Sequence, residues 1–173
     1  MKKISETKAL EALQRVKKDN AREIGETYES RAKPCSACST PGACCLDAHF
    51  VNVEITRLEA VAIRKALSEM DPELRNHVYN RVGEAIVNFR LDRSGNSGRT
   101  FACPLYEKGI GCLVHSTAKP IPCIQHACYE RREDLPPDSL QYDREAEVER
   151  LNRLTYSDAP AWLPLPVAIM RTR

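Results

Sequence analysis

Eight cysteines are concentrated in two short windows of this 173-residue chain. The first window holds Cys35, Cys38, Cys44 and Cys45, and the second holds Cys103, Cys112, Cys123 and Cys128. Thiolates bind soft or borderline metals such as zinc and iron, and short spacings bring several thiolates together at little entropic cost. The clustering therefore predicts that all eight cysteines are metal ligands.

The alternative to metal ligation is a disulfide framework, which the even number of cysteines permits. The segment Met1–Asn20 carries charges throughout and has no apolar signal-peptide core, which indicates the cytoplasm rather than a secretory route. In a reducing compartment, clustered cysteines are metal-binding or catalytic more often than they are bridged. We therefore expect a cytoplasmic protein that binds metal ions.

The identity of the metal is open on the residues alone. Eight cysteines would fill two tetrahedral zinc sites, while four would hold an iron–sulfur cluster, with the others serving a second cluster or staying as thiols. Ligand softness slightly favours iron–sulfur over zinc, with metal-free thiol chemistry third. The adjacent pair Cys44 and Cys45 is expected to diverge, and so to serve two metals, or one metal and one unligated role, rather than a single ion.

Three histidines lie near the cysteines and are candidates for additional ligands: His49, His115 and His126. Imidazole suits both zinc and iron, and His126 stands two residues before Cys128. A histidine in such a position more often orients a ligand or is exposed. Whether any of the three binds metal is left open.

The elements that must position the cysteines are helices and loops. A charged helix is predicted over about Glu6 to Ser30, with a thin apolar stripe typical of a solvated arm. A capping box at Thr56 and an N-cap with proline at Asp71-Pro72 begin two further helices, and this helical hairpin should return Cys103 towards Cys45. Proline, glycine and small residues predict a loop from Pro34 to Cys45.

These elements predict a mainly α, loop-rich, metal-centred domain with a helical hairpin between the two cysteine windows. We expect an N-terminal helical arm at 1–33, a cysteine-cluster domain at 34–130, and a segment at 131–173 with a charged helix over about Arg144 to Leu154 and a proline-broken tail.

Composition restricts the class of partner. Lys and Arg number 26 against 24 Asp and Glu, so the net charge of +2 gives no basic field for nucleic acid. No apolar stretch approaches the roughly 20 residues that span a bilayer, so no membrane partner is indicated. The chain has no phosphate-binding glycine loop, nucleophile elbow or zinc-protease motif, and whether it is an enzyme stays open.

The ordered cysteine pattern resembles the CxxCxxCC cysteine-cluster family, also called YkgJ-like. The resemblance covers residues 35 to 128 and rests on Cys35-x2-Cys38-x5-Cys44-Cys45, Cys103-Pro104-Leu105, Gly111-Cys112-Leu113-Val114-His115 and Lys119-Pro120-x2-Cys123. Two features depart from it: the first spacer is long, and His115 stands where tyrosine is common. Members are described as zinc- or iron-chelating, so the resemblance implies metal binding and little else.

The sequence thus predicts a protein that coordinates an iron–sulfur cluster or zinc, in a redox or accessory role. A structural zinc-binding interaction module and a metal-delivery protein are the alternatives, and a catalyst with an open coordination position is a fourth class. An unidentified protein partner is left open.

Overall fold

Helices make up most of the fold, as the sequence predicts. The computed structural model describes residues 3–34, 37, 39–40, 42–46, 51–93, 98–157 and 161–172. Within these ranges the helices are α1 Glu6–Thr27, α2 Ala43–Leu46, α3 Arg57–Ser68, α4 Pro72–Phe89, α5 Ile121–Gln125, α6 Asp138–Tyr156 and α7 Leu165–Arg171. The strands are β1 Glu54–Ile55, β2 Tyr106–Glu107, β3 Gly111–Cys112 and β4 Leu163–Pro164, and two 3-10 turns cover Glu29–Arg31 and Arg132–Asp134.

Three of the long helices begin where a side chain caps their first turn. The hydroxyl of Ser5 accepts a hydrogen bond from the Lys8 N–H at 3.4 Å, and that of Thr56 accepts one from Glu59 at 3.4 Å. The carboxylate of Asp71 accepts from Glu73 at 2.9 Å. Each cap satisfies a backbone donor that the helix leaves without an intrahelical partner. The predicted helix starts after Thr56 and Asp71 are therefore confirmed.

The chain divides into two compact units, and each is discontinuous in sequence. Unit 1 comprises Met1–Pro41 and Lys119–Ala159, and unit 2 comprises Gly42–Ala118 and Pro160–Arg173. The predicted segments 1–33, 34–130 and 131–173 are a different division of the chain and stay a prediction.

Unit 1 is built on α1, with α5 and α6 packed against it. The buried face of α1 carries Ala9, Leu13 and Ile24 at helical spacing. The helix runs antiparallel to α6, because Arg144 near the start of α6 pairs with Glu23 near the end of α1 at 2.9 Å, and Tyr156 at the end of α6 donates to Glu6 at the start of α1 at 2.7 Å. The first helix therefore forms as predicted, but it gives its apolar stripe to its own unit rather than standing as a solvated arm. The predicted charged helix over Arg144 to Leu154 is also present and is longer, since α6 begins at Asp138.

Unit 2 is built on α3, α4 and α7, with α7 packed against both of the others. Two antiparallel strand pairs, β1 with β4 and β2 with β3, complete it. The prediction of a proline-broken tail is wrong, because the tail forms β4 and then α7. Pro164 and Pro166 lie at the start of α7, where a proline costs no intrahelical hydrogen bond.

The apolar core of unit 2 draws on α3, α4 and α7 and on the segments around Cys103 and Cys112. Its fully buried members include Ile63, Val82 and Ile169 from the helices, together with Phe101 and Val114 from the second cysteine window. Burial of these side chains is the main force that holds the cysteine-bearing loops in place.

None of the helices in the described ranges is both long enough and apolar enough to span a membrane.

Candidate metal centre

The division into units splits each cysteine window in the middle. The boundary between Pro41 and Gly42 falls inside the first window, and the boundary between Ala118 and Lys119 falls inside the second. Unit 2 therefore contains Cys44, Cys45, Cys103 and Cys112, and the described cysteines of unit 1 are Cys123 and Cys128. The predicted ligands Cys35 and Cys38, and the candidate His49, lie outside the described residues.

Cys44 and Cys45 lie on α2, a single helical turn that follows Gly42. Gly42 has a φ of +84°, and its carbonyl accepts hydrogen bonds from the N–H groups of Cys45 at 2.8 Å and Leu46 at 3.0 Å. The ring of Tyr106 occupies the space that a Cβ on residue 42 would need. Only glycine suits both the backbone angle and this close approach. The predicted loop is thus wrong at its end, where Ala43–Leu46 form a helical turn.

A backbone hydrogen bond joins Cys103 to Cys45. The N–H of Cys103 donates to the carbonyl of Cys45 at 2.8 Å, so the two windows meet inside unit 2. Phe101 and Leu105, which flank Cys103, are 0% and 1% exposed and anchor this segment in the core. The prediction that the chain brings Cys103 back towards Cys45 is confirmed.

Cys112 lies on β3, directly opposite Tyr106 of β2. The hairpin turns through Gly109 at a φ of +84°, with the Ile110 N–H donating to the Glu107 carbonyl at 3.1 Å. A turn of this kind requires a residue at positive φ in its third position, which glycine supplies at no steric cost. The hairpin therefore places Cys112 beside the segment that starts at Cys103.

The four thiols of unit 2 lie within electrostatic range of one another. Burial is the largest cause that raises the pKa of the Cys45 thiol to about 12, and the charges of Cys44, Cys103 and Cys112 raise it as well. The effect of the three neighbouring cysteines is informative, because such an effect arises only where the side chains are near each other. Thiolates gathered in this way repel one another, and a bound cation would relieve that repulsion.

Cys44 and Cys45 do not diverge. A hydrogen bond joins their two thiols and contributes to the raised pKa of Cys45. Adjacent residues in a helix point about 100° apart, and suitable rotamers close the remaining gap. The expected divergence is therefore wrong, while the number of metals that the pair serves stays a prediction.

The backbone N–H groups of Leu105 and Tyr106 lie beside the Cys103 thiol, and the Tyr106 N–H donates to the Cys103 carbonyl at 3.2 Å. Burial raises the pKa of Cys103 to about 12, while these two N–H groups and the charge of Arg81 act in the opposite direction. Backbone N–H groups aimed at a cysteine sulfur favour the thiolate, and they surround the thiolates of iron–sulfur and zinc sites in proteins. Burial outweighs the groups that favour the thiolate, so the protonated thiol of Cys103 is favoured.

Arg81 of α4 is a site residue that the sequence gave no reason to select. Its Nη1 donates to the Tyr106 carbonyl at 3.0 Å and to Glu107 Oε2 at 2.9 Å, which fixes the hairpin to the helix. Arg81 is one of 26 basic residues and belongs to no sequence motif that would single it out. Its proximity to Cys103 depends on the tertiary fold alone.

In unit 1, Cys123 lies on α5 and Cys128 lies three residues beyond that helix. Cys128 forms an antiparallel bridge with Lys33, whose N–H donates to the Cys128 carbonyl at 2.8 Å. Lys33 stands two residues before Cys35 in the sequence. The segment that precedes the first window therefore lies beside Cys128 in unit 1.

The two candidate histidines in the described residues are His115 and His126. His115 is exposed, and its N–H donates to the Cys112 carbonyl at 3.0 Å. His126 is exposed, although partial burial of its ring and the charge of Lys119 lower its pKa. Neither of the two is brought into a group of metal-binding side chains.

Across the described residues, no three side chains of His, Cys, Asp or Glu converge closely enough to hold a metal ion. The six described cysteines also form no disulfide with one another. No three of the unit 2 thiols are therefore grouped closely enough in the described residues to hold one metal ion.

Comparison with known proteins found no relative of this chain. No family model, curated protein or solved structure matches this chain. The resemblance to the CxxCxxCC cysteine-cluster family stays a prediction.

Proposed function

We propose that this protein binds metal through its clustered cysteines, with Cys44, Cys45, Cys103 and Cys112 as one ligand set. The observation that carries the proposal is the approach of the two cysteine windows in unit 2. The Cys103 N–H donates to the Cys45 carbonyl at 2.8 Å, and the charges of Cys44, Cys103 and Cys112 all raise the pKa of the Cys45 thiol. Four thiolates suit a closed zinc site or an iron–sulfur cluster.

Metal binding requires the side chains to close from their present positions. The backbone hydrogen bond between Cys103 and Cys45, and the glycine contact with Tyr106, already fix the segments that carry the thiols. The remaining change is one of side-chain rotamers in this proposal. Binding energy would then add to folding energy, as it does in small metal-centred domains.

A second ligand set in unit 1 is part of the same proposal. Cys123 and Cys128 are its described members, and Cys35 and Cys38 precede the unit boundary in the sequence. The bridge between Lys33 and Cys128 supports this grouping. All eight predicted ligands are then used, four in each set.

We favour an iron–sulfur cluster slightly over zinc in a cytoplasmic protein. An iron–sulfur centre would supply electron transfer or redox sensing, and the protein would act in a redox or accessory role with a protein partner. The second candidate is a structural zinc module, which the four-thiol set fits equally well by ligand count. Labile delivery of the metal to a partner is a further alternative, marked by weak and exchangeable binding.

Single serine substitutions test the ligand assignment. Cys103→Ser and Cys123→Ser, together with Cys38→Ser, should each lower the metal content of anaerobically purified protein, because a hydroxyl is a poor ligand for these metals. Far-UV circular dichroism of each variant checks that its helices persist. Full metal occupancy in all three variants would exclude the assignment.

A further inference from the structure

Tyr106 contacts all three segments that carry the four cysteines of unit 2. Its N–H donates to the Cys103 carbonyl at 3.2 Å, and it pairs with Cys112 across the β2–β3 hairpin. Its ring lies against Gly42, directly before α2. One residue therefore joins the second cysteine window to the first, through its backbone on one side and through its side chain on the other.

The register of the hairpin sets Tyr106 and Cys112 side by side. The Leu113 N–H donates to the Leu105 carbonyl at 2.9 Å, so Tyr106 and Cys112 form a non-hydrogen-bonded pair of the antiparallel ladder. Directly opposite residues carry their side chains on the same face, and they lie closest together in a pair of this kind. The Cys112 thiol and the Tyr106 ring therefore share one face of the hairpin.

The ring of Tyr106 reaches the first cysteine window. It fills the space beside the Cα of Gly42, where a Cβ would overlap the phenol hydroxyl and the adjoining ring carbons. The Gly42 carbonyl accepts from the Cys45 N–H at 2.8 Å and so belongs to the turn that carries Cys44 and Cys45. Because close-packed groups transmit strain, the ring fixes this turn relative to the hairpin.

The backbone of Tyr106 is itself held by α4. Nη1 of Arg81 donates to the Tyr106 carbonyl at 3.0 Å and to Glu107 Oε2 at 2.9 Å. The hairpin is thus attached to a long helix of the same unit at the residue whose ring contacts Gly42. A fixed backbone makes the ring a rigid support for the cysteine turn.

From these contacts we infer that Tyr106 is a positioning residue that sets the spacing of the thiols of Cys44, Cys45, Cys103 and Cys112. Residues around a metal site orient its ligands, and replacing such residues typically costs about 10–100-fold in metal affinity. The inference rests on the proposed function, because the spacing of the thiols matters to a metal that they share.

Cobalt(II) is a suitable probe because thiolate ligation gives it a strong charge-transfer absorption, and the intensity per bound ion rises with the number of thiolates. Full-length wild type, Tyr106→Leu and Tyr106→Phe would be titrated anaerobically, with affinities measured by chelator competition. Cys103→Ser identifies the part of the signal that belongs to unit 2. Asp71→Ala is the matched control for stability, because it removes a helix cap of the same unit and leaves the Tyr106 contacts in place.

A positioning role predicts two changes in Tyr106→Leu. The cobalt affinity of the unit 2 set falls about tenfold or more, and the charge-transfer intensity per bound cobalt falls because water replaces a displaced thiolate. Tyr106→Phe keeps the ring and recovers most of both, and Asp71→Ala keeps the wild-type intensity. Loss of stability alone predicts weaker binding at full intensity per bound ion.

Full charge-transfer intensity per bound cobalt in Tyr106→Leu, or equal losses in Tyr106→Phe and Tyr106→Leu, would overturn the inference and leave metal binding standing. If the wild type shows no thiolate charge-transfer band with cobalt, the proposed function fails and the inference fails with it. Should Tyr106→Leu not fold, Gly42→Ala decides, because its Cβ displaces the ring while the tyrosine stays. Reduced intensity per bound cobalt in Gly42→Ala then supports the inference, and full intensity overturns it.

Discussion

The backbone N–H of Cys103 donates to the carbonyl of Cys45 at 2.8 Å, although 57 residues separate them in the sequence. The helices α3 and α4 lie between the two cysteines and return the chain to its starting point. Phe101 then buries its ring in the core, and its N–H donates to the Val51 carbonyl at 2.9 Å. The two cysteine windows therefore meet through backbone contacts.

The contact of Gly42 with Tyr106 predicts a specific loss of stability. Gly42→Ala should lower the free energy of unfolding by at least about 1 kcal/mol, because an L-residue is disfavoured at this φ and its Cβ overlaps the tyrosine ring. Urea denaturation measures the change. Gly83→Ala is the control: its Cβ would meet no atom in the middle of α4, so it should stabilise the helix by about 0.5–1 kcal/mol. Equal stability of Gly42→Ala and the wild type would refute the predicted contact.

The division into two ligand sets predicts how serine substitutions combine. Cys45→Ser with Cys103→Ser should lose no more metal than either change alone, because both ligands belong to unit 2. Cys103→Ser with Cys123→Ser should lose the sum of the two single effects, since independent sites are additive. Metal content per chain is the measurement. If Cys103→Ser alone removes all the metal, the cysteines share one centre and the two-set proposal is wrong.

The cap at Asp71 should affect stability without affecting metal. Asp71→Ala removes the acceptor for the N–H groups of Glu73 and Leu74, and the expected cost is about 1 kcal/mol in the free energy of unfolding. The cysteines lie elsewhere in the unit, so metal content should equal that of the wild type. A large drop in metal content would mean that the start of α4 is coupled to the centre.

Replacing the buried Asn20 with an apolar residue should stabilise the protein. It is fully buried on α1, and neither atom of its amide group has a hydrogen-bond partner in the described residues. Asn20→Leu, which is similar in shape, should raise the free energy of unfolding by about 1 kcal/mol because it removes an unsatisfied buried group. The exposed Asn76 offers the control, and Asn76→Leu should change stability by less than about 0.5 kcal/mol. Destabilisation by Asn20→Leu would show that the amide does bind a partner.

Local signals in the sequence account for the helices that were predicted. Thr56 and Asp71 each combine a cap with an apolar stripe, and both act within a few residues. The same reasoning failed at Pro164 and Pro166, because proline breaks a helix only in its interior and these two lie at its start.

The remaining features depend on contacts between distant parts of the chain. Cysteine spacing indicates thiol chemistry, but it does not reveal that each window is divided between two units. The proximity of Arg81 to Cys103 likewise comes from the packing of α4 against the β2–β3 hairpin. The hydrogen bond between the Cys44 and Cys45 thiols depends on side-chain rotamers that spacing does not fix.

The most direct test of the central claim is elemental analysis of the wild-type protein. The protein would be purified anaerobically, and its iron, zinc and acid-labile sulfide would be measured on the same sample as its visible spectrum. The account predicts stoichiometric metal, with a brown sample containing iron and sulfide for the favoured cluster, or a colourless one containing zinc for the alternative. A protein that carries no stoichiometric metal and takes up neither zinc nor iron with sulfide would contradict it.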